Sequence, residues 1–418
     1  MSKCEHTALI ICLPCNWFLT MLSNPTSNPT SKPSVNPPNN PSANPSTDVS
    51  QGPLAGLKII EFAGIGPGPF AGMMLADMGA DVIVIDRAAD VARAAKYPRA
   101  ATQRGKRSIA LDLKSEADRQ VAWTLIESAD ALIEGFRPGV MERLGFGPDA
   151  VESRNPKLVY GRVTGWGQTG PLAQAAGHDI NYVALTGVMS TSARQGQAPV
   201  IPPTIVGDMA GGAMFLAFGL VCALLEAQKS GCGQVIDAAM IDGVTAMSGL
   251  MHQMRSNGSW PDQADRNFFS NSSPFYEVFE CSDGLYISLG AIEPQFYAQL
   301  LQLLKLDDVD PALQYDARQW PQLKQRVADT IQQKTRADWQ SLLEGTDVCF
   351  APVLSLTEAA DHPHNKSRGL FVDVNGQTQP APAPRFSRSP LRKPSPGAQC
   401  GEHTQEVLAE MGIQRVSP

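Results

Sequence analysis

The sequence contains no run of apolar residues long enough to cross a bilayer, so no membrane-spanning segment is predicted. It has no basic excess either: the formal net charge is -7, which argues against a nucleic-acid-binding protein, because such proteins carry a basic face. Histidine occurs only 6 times, and the nearest candidate for a metal site, His362-Pro363-His364, has no further ligand at a useful spacing. What remains is a chain of 418 residues, 43% hydrophobic, which is long enough for two packed lobes.

The 8 cysteines include one CxxC pair, Cys12 and Cys15, in an apolar stretch with no second pair near it, and the others are scattered along the chain. Cys222, Cys281 and Cys349 each stand alone in apolar or turn contexts, which predicts buried reduced thiols and a cytoplasmic protein. The C-terminal residues 415–418 do not form a peroxisomal SKL signal, which favours the same location.

The N-terminal region is poor in residues that can be buried. Residues 23–50 consist mainly of Asn, Pro, Ser and Thr. We therefore predict that residues 1–52 are a disordered extension and that the folded part begins near Leu54.

The folded part opens with a strand, turn, helix and strand, which predicts a βαβ unit. Its turn, Gly64-Ile65-Gly66-Pro67-Gly68-Pro69, is not the GxGxxG of dinucleotide sites. Asp86, at the end of the second strand, could bind a ribose hydroxyl, and Arg87 suggests a phosphate. A solvated ion pair explains these two residues equally well.

Strands and helices continue to alternate, which predicts an α/β protein with a doubly wound, Rossmann-like large domain. From Tyr276 the pattern changes to a hairpin, with Asp283-Gly284 at its turn, followed by helices. We therefore expect a large α/β domain over 53–235, linker helices over 236–275, a small α+β domain over 276–365, and a C-terminal return to the large domain over 366–418.

Two segments place a proton-transfer group beside glycine, where the backbone can approach a ligand closely. His178 follows Gly177, and Asp208 follows Gly207. An imidazole and a carboxyl group on opposite sides of one carbon could each return the proton that the other removes. Each residue has an ordinary alternative: His178 could cap a helix or lie in the core, Asp208 could cap the apolar helix predicted over 213–228, and Glu293, before Pro294, could begin a helix.

The motifs in the chain resemble those of the α-methylacyl-CoA racemases of the family III CoA-transferase superfamily. The similar segments run from Leu54 to about Arg388 and are GLKIIEFAGIGPGPFAGMMLADMGADVIVIDR, RGKRSIALDLK, FRPGVMERLG, GHDINY, GDMAGG, GQVIDAAM and AIEPQFY. The N-terminal extension has no counterpart in the family pattern.

This resemblance implies an interlocked homodimer that binds an acyl-CoA and needs no further cofactor. By position it implies that His178 is one base, that Asp208 is the opposing acid, and that Glu293 supports the histidine. The residues that it implies for contact with the CoA thioester are Arg87, Ala110, Leu111, Asp112, Leu113, Arg137, Gly177, Asp179, Ile180, Asn181 and Tyr182. Arg104, Lys106 and Arg107 are weaker candidates for phosphate contact.

The reaction implied is inversion of the α-carbon of a 2-methylacyl-CoA through an enolate, with the Asp208 backbone N–H as a candidate donor to the thioester oxygen. The alternative is CoA transfer, in which Asp208 is a nucleophile and the histidine is not required. A protein that binds CoA esters without turnover ranks below both. The preferred acyl chain stays open.

Overall fold

A six-stranded parallel sheet forms the centre of the large lobe in a computed structural model that describes residues 52–194, 196–262 and 267–413. The predicted N-terminal extension and C-terminal residues 414–418 lie outside the described residues. The spatial order of the strands is β3-β2-β1-β4-β5-β6. The strands are β1 (Lys58–Phe62), β2 (Asp81–Arg87), β3 (Arg107–Leu111), β4 (Ala131–Glu134), β5 (Val159–Thr164) and β6 (Val235–Ala239).

This strand order is that of doubly wound dinucleotide-binding folds, and it confirms the predicted α/β class with a parallel sheet. The inner strands are buried on both faces, as their nearly continuous apolar sequences require. The helices of this lobe are α1 (Pro67–Asp77), α2 (Val91–Ala94), α3 (Glu116–Glu127), α4 (Val140–Leu144), α5 (Pro148–Glu152), α6 (Asp179–Leu185), α7 (Phe215–Ser230), α8 (Met240–Met247) and α9 (Gly249–Ser256).

Each face of the sheet has its own apolar core, because alternate residues of a strand point to opposite faces. Ile59 of β1 belongs to the core that α1 and α7 cover. Its neighbour Ile60 belongs to the core that α3 covers. The sheet is therefore enclosed on both sides, and ligands can approach it only at the strand ends.

The second lobe is a three-stranded antiparallel sheet with helices packed on it. The predicted hairpin is confirmed: residues of the first two strands pair antiparallel, from Tyr276 opposite Gly290 to Glu280 opposite Tyr286. The elements are β7 (Tyr276–Glu280), β8 (Tyr286–Gly290), α10 (Pro294–Leu303), α11 (Trp320–Ile331), α12 (Arg336–Leu343) and β9 (Phe350–Pro352). A separate apolar core holds them together.

The C-terminal part of the chain returns to the edge of the large sheet. Its elements are α13 (Leu356–Asp361), α14 (Pro363–Arg368), β10 (Phe371–Val374), β11 (Gln377–Pro380) and α15 (Thr404–Glu410). The Ala110 N–H of the edge strand β3 donates to Thr404 Oγ1 over 3.1 Å, and the His403 N–H donates to the Ser108 carbonyl over 2.9 Å. These bonds cover an edge that would otherwise be open to pairing.

A π-helical segment, Ile205–Met214, leads directly into α7 and was not predicted from the sequence. Together they form one helical run, Ile205–Ser230, that is long and apolar enough to cross a membrane by length and composition, with 44% of its most apolar window buried. The run is interrupted by Asp208 near its start and by Glu226 and Lys229 near its end, so the sequence prediction, which required an uninterrupted apolar run, did not count it. The sequence prediction began the helix after Asp208, whereas the structure carries the helical run through that charge.

Two further sequence predictions need correction. The helix expected over 240–254 is interrupted between α8 and α9. Of the three thiols predicted to be buried, Cys281 is buried, but Cys222 and Cys349 are exposed. Apolar neighbours in the sequence did not ensure burial, because Cys222 lies on an exposed face of α7 and Cys349 lies in the turn before β9.

Candidate active site

The two predicted proton-transfer residues come together with the first turn of the βαβ unit, beyond the carboxyl ends of the strands. His178 follows the glycine-rich passage after β5, and Asp208 lies in the π-helical segment before α7. The backbone of Gly66, after β1, lies beside Asp208: a Cβ on this glycine would be 3.5 Å from Asp208 Oδ2. This edge is where ligands bind in open α/β sheets.

His178 occupies the N-cap position of α6, as its alternative interpretation predicted, and the following bonds at this cap are made by its backbone. Its N–H donates to Asn181 Oδ1 over 3.1 Å, and its carbonyl accepts from the Asn181 N–H over 2.8 Å. The residue is exposed rather than in the core. Its backbone is therefore fixed while its imidazole stays accessible to a ligand.

Asp208 is half-buried and lies inside the π-helical segment, so it does not cap α7. Burial raises the pKa of its carboxyl group, the neighbouring Asp179 charge raises that pKa further, and His178 lowers it. The raised pKa favours a protonated Asp208 at higher pH than an ordinary aspartate, as a proton donor requires. π-helical turns are rare and recur at functional sites.

Asp179 is turned away from the expected thioester arm. Its side chain is buried, and Oδ1 accepts the N–H of Gly207 over 2.6 Å and that of Asp208 over 2.8 Å. The Asp208 N–H, predicted as the donor to the thioester oxygen, donates to Asp179 in this structure, and its role towards the thioester stays a prediction. The expected contact of Asp179 with the substrate also stays a prediction.

Tyr182, also expected to contact the thioester arm, is buried and donates its hydroxyl to the Gly177 carbonyl. Its ring packs edge-on against Trp166, with ring centroids 4.7 Å apart. Sequence reasoning missed Trp166, although its position between Gly165 and Gly167 was a signal. The Tyr182 side chain therefore packs against the inside of the loop, while Ile180 and Asn181 are exposed.

Glu293 lies in the small lobe, immediately before α10, and its charge raises the pKa of the Cys349 thiol after the larger effect of burial. Among the residues that the structure describes, no hydrogen bond or ion pair joins Glu293 to His178 or Asp208. The described contacts therefore join His178 with Asp208 but do not include Glu293.

Of the cationic side chains predicted to bind phosphate, some are exposed and others are buried. Arg87 and Arg137 are exposed, and Arg87 makes a long ion pair of 3.8 Å with Asp90. Arg137 lies near enough to Tyr182 to lower the pKa of its hydroxyl, against the larger effects of burial and Asp208. Both guanidinium groups can therefore meet an anion at this edge.

Arg104 and Lys106 are wrong as phosphate contacts. Lys106 Nζ pairs with Glu61 at 2.6 Å and Arg104 with Asp77 at 2.6 Å, and all four side chains are buried. Arg107 is committed to Asp81, Glu406 and Glu410. A basic turn in a sequence does not reveal that its charges point inward.

The backbone stretch expected beside the nucleotide is mostly engaged within the chain. The Ala110 N–H is bonded to Thr404, and the Asp112 N–H to Asp118 Oδ2 at 2.7 Å. Leu111 is buried in the core below the sheet. Asp112 is exposed, and Ala110 and Leu113 are half-buried, so contact of this stretch with a nucleotide stays a prediction.

No cluster of three or more His, Cys, Asp or Glu side chains that could hold a metal ion occurs in residues 52–194, 196–262 and 267–413. The chemistry available at the site is therefore that of an imidazole, a carboxyl group of raised pKa, and two exposed guanidinium groups.

Comparisons with known proteins identify the family of the chain. The profile of CoA-transferase family III matches residues 54–404. The chain is 41% identical to an α-methylacyl-CoA racemase of Mus musculus, over 87% of this chain and 94% of that protein. It is 32% identical to a succinate–glutarate CoA-transferase of Agrobacterium fabrum, over 86% and 96%. The crystal structure of a CAIB/BAIF family protein from Brucella suis superposes with a TM-score of 0.75 at 26% identity, covering 86% of this chain and 100% of that one.

Proposed function

Because the chain belongs to CoA-transferase family III, we propose that it is an isomerase that inverts the α-carbon of 2-methylacyl-CoA thioesters. The observation that carries this proposal is the pairing of His178 with Asp208. The histidine lies close enough to lower the pKa of a carboxyl group that burial and Asp179 raise, so two proton-transfer groups meet at one ligand-accessible edge.

The α-proton of a thioester is weakly acidic, and its removal moves negative charge onto the thioester oxygen. In the proposed reaction neutral His178 removes the proton from one face, and protonated Asp208 returns one to the other face. In the reverse direction the roles exchange. The raised pKa of Asp208 helps its carboxyl group to hold the proton that it returns.

The CoA moiety would be held by the exposed Arg87 and Arg137, because guanidinium groups bind phosphate oxygens in a bidentate manner. Arg137 lies beside Tyr182, under the loop that carries His178. In this proposal the positive charge of Arg137 lies between the nucleotide and the thioester. No additional cofactor is part of the proposal.

We also propose that the active enzyme is a homodimer whose site takes Glu293 from the second chain. Glu293 lies in the small lobe, without a bond to His178 in its own chain among the described residues. The helical run 205–230 supports this assembly, because it exposes large apolar side chains that a second chain would cover, with Phe218 70% exposed. The cytoplasmic location stays a prediction.

The alternative is CoA transfer with Asp208 as nucleophile, since the chain is also 32% identical to a succinate–glutarate CoA-transferase. The test is to incubate the purified protein with one epimer of a 2-methylacyl-CoA and to follow the other by chiral separation. A parallel reaction contains free carboxylic acids and, separately, hydroxylamine.

Inversion without transfer, and without inactivation by hydroxylamine, is expected. CoA transfer to the free acid, with inactivation by hydroxylamine and configurational stability of both epimers, would establish the alternative. A small panel of acyl chains in the same assay identifies the preferred substrate.

A further inference from the structure

The Asp179 carboxylate joins the two segments that carry the proposed proton-transfer groups. Asp179 follows His178 directly in the chain. Its Oδ1 accepts the N–H of Asp208, which lies 29 residues further along the chain, over 2.8 Å. The same oxygen accepts the Gly207 N–H at 2.6 Å. One buried oxygen thus fastens the first turn of α6 to the π-helical segment.

This contact depends on the absence of a side chain at position 207. A Cβ on Gly207 would lie 2.6 Å from Asp179 Oδ1, which is closer than the two atoms can approach. The glycine before Asp208 is therefore required by the carboxylate that binds its backbone, as well as by any ligand nearby.

The side chain of Asp179 is 6% exposed, so its charge acts in a poorly solvated region. The charged and titratable groups that interact with Asp208 are Asp179, His178 and Tyr182, and Arg137 acts on Tyr182 in turn. Of the three groups that act on Asp208 directly, Asp179 is the carboxylate. It raises the pKa of Asp208, whereas His178 lowers it.

We propose that Asp179 is a positioning residue for Asp208: its carboxylate fixes the backbone of Asp208 relative to His178, so that the Asp208 carboxyl group faces the substrate α-carbon. This inference rests on the proposed racemase function.

Two substitutions of Asp179 separate the effect of its hydrogen bonds from the effect of its charge. Asp179→Asn keeps an oxygen that accepts the two N–H groups but removes the charge, whereas Asp179→Ala removes both. Asp130→Asn is the matched control: Asp130 Oδ2 accepts the Lys58 N–H at 2.8 Å at the amino-terminal ends of the strands, away from the site. Circular dichroism and thermal melting establish that each variant is folded.

The experiment measures α-proton exchange from each epimer of a 2-methylacyl-CoA against pH. Asp179→Ala is expected to lower kcat by about 10- to 100-fold, the effect of losing hydrogen bonds to a charged group, with KM nearly unchanged. Asp179→Asn is expected to keep most of kcat and to move the pH profile of the Asp208-dependent direction to lower pH, because a negative neighbour that raises the Asp208 pKa has gone.

Wild-type kcat and an unshifted pH profile in both Asp179 variants would overturn the inference, as would losses equal to those of Asp130→Asn. If Asp179→Ala does not fold, the pH profile of Asp179→Asn still decides. Absence of exchange by the wild-type protein is a different result, because it would contradict the proposed function rather than the role of Asp179.

Discussion

At the scale of single residues, the space around Asp208 is set by Gly66, which has no side chain to fill it. Its φ of 73° lies in the left-handed region, and a Cβ would touch Asp208 Oδ2. A ligand that reaches the Asp208 carboxyl must use this space. The glycine thus serves both the turn and the site.

Gly66→Ala is expected to lower kcat/KM by about tenfold or more, because the methyl group occupies the space beside the carboxyl where the α-carbon must sit. Gly56→Ala is the matched control, since Gly56 has a φ of 89° and a Cβ there would meet no atom of the described residues within 4 Å. Both variants should lose about 1–2 kcal/mol of stability from left-handed strain. Equal activities in steady-state assays of the two would contradict the assignment of this space to substrate.

At the scale of elements, a buried ion pair connects β1, the residue before β3 and the start of α1. Lys106 Nζ donates to Glu61 Oε2 at 2.6 Å and to the Pro69 carbonyl at 2.8 Å. Glu61 Oε1 has no hydrogen-bond partner among the described residues. The pair holds the Gly64–Pro69 turn that borders Asp208.

Lys106→Met is expected to lower the free energy of unfolding by about 3–5 kcal/mol at neutral pH, because it leaves a buried carboxylate unpaired. Burial raises the pKa of Glu61, so the folded variant binds a proton more readily than the unfolded chain. The deficit should therefore shrink as pH falls and Glu61 becomes neutral. Urea titrations at several pH values measure it.

The control for this prediction is the double variant Glu61→Leu with Lys106→Met, which should recover most of the loss because no charge is left buried. A deficit in Lys106→Met that is the same at every pH would show that the lost contact, rather than the unpaired charge, sets the cost.

The elements predicted from sequence are those whose signal is local. The parallel strands were apolar runs, and the hairpin of β7 and β8 had Asp283-Gly284 at its turn. The β10–β11 hairpin was missed although Asn375-Gly376, with φ of 55° and 79°, carries the same kind of turn signal. No local sequence pattern indicated the π-helical segment. It packs against α1 and α8, which are distant in sequence, and a local pattern does not report such contacts.

The residues of the site also differ in whether a local sequence signal identifies them. His178 and Asp208 were singled out by the glycine before each of them, and the resemblance of the GHDINY and GDMAGG motifs to the family gave them their predicted roles. The inward direction of Asp179 and Tyr182, and the pairing of Arg104 and Lys106 with distant carboxylates, depend on contacts between elements far apart in sequence. Residue type and neighbours do not encode those directions.

At the scale of the whole molecule, Glu293 lies in the small lobe, where no hydrogen bond or ion pair among the described residues joins it to His178 or Asp208. In the proposed homodimer, one chain supplies His178 and Asp208 and the other supplies Glu293. The exposed apolar face of α7 would then be covered by the partner.

Complementation tests this assembly. His178→Ala and Glu293→Gln homodimers should each be strongly impaired, whereas a heterodimer purified through two different tags should regain about half of the wild-type activity, because one of its two sites has only native residues. A heterodimer as inactive as its parents would mean that His178 and Glu293 act within the same chain.

The central claim is that His178 and Asp208 face one substrate carbon from opposite sides. The most direct measurement is deuterium incorporation at the α-carbon, in deuterated water, from each epimer of a 2-methylacyl-CoA, by the wild type, His178→Ala and Asp208→Asn. The wild type should exchange both epimers with loss of configuration, and the two variants should lose exchange from opposite epimers. Loss from the same epimer in both variants, or wild-type protein that leaves both epimers unlabelled, would contradict the account.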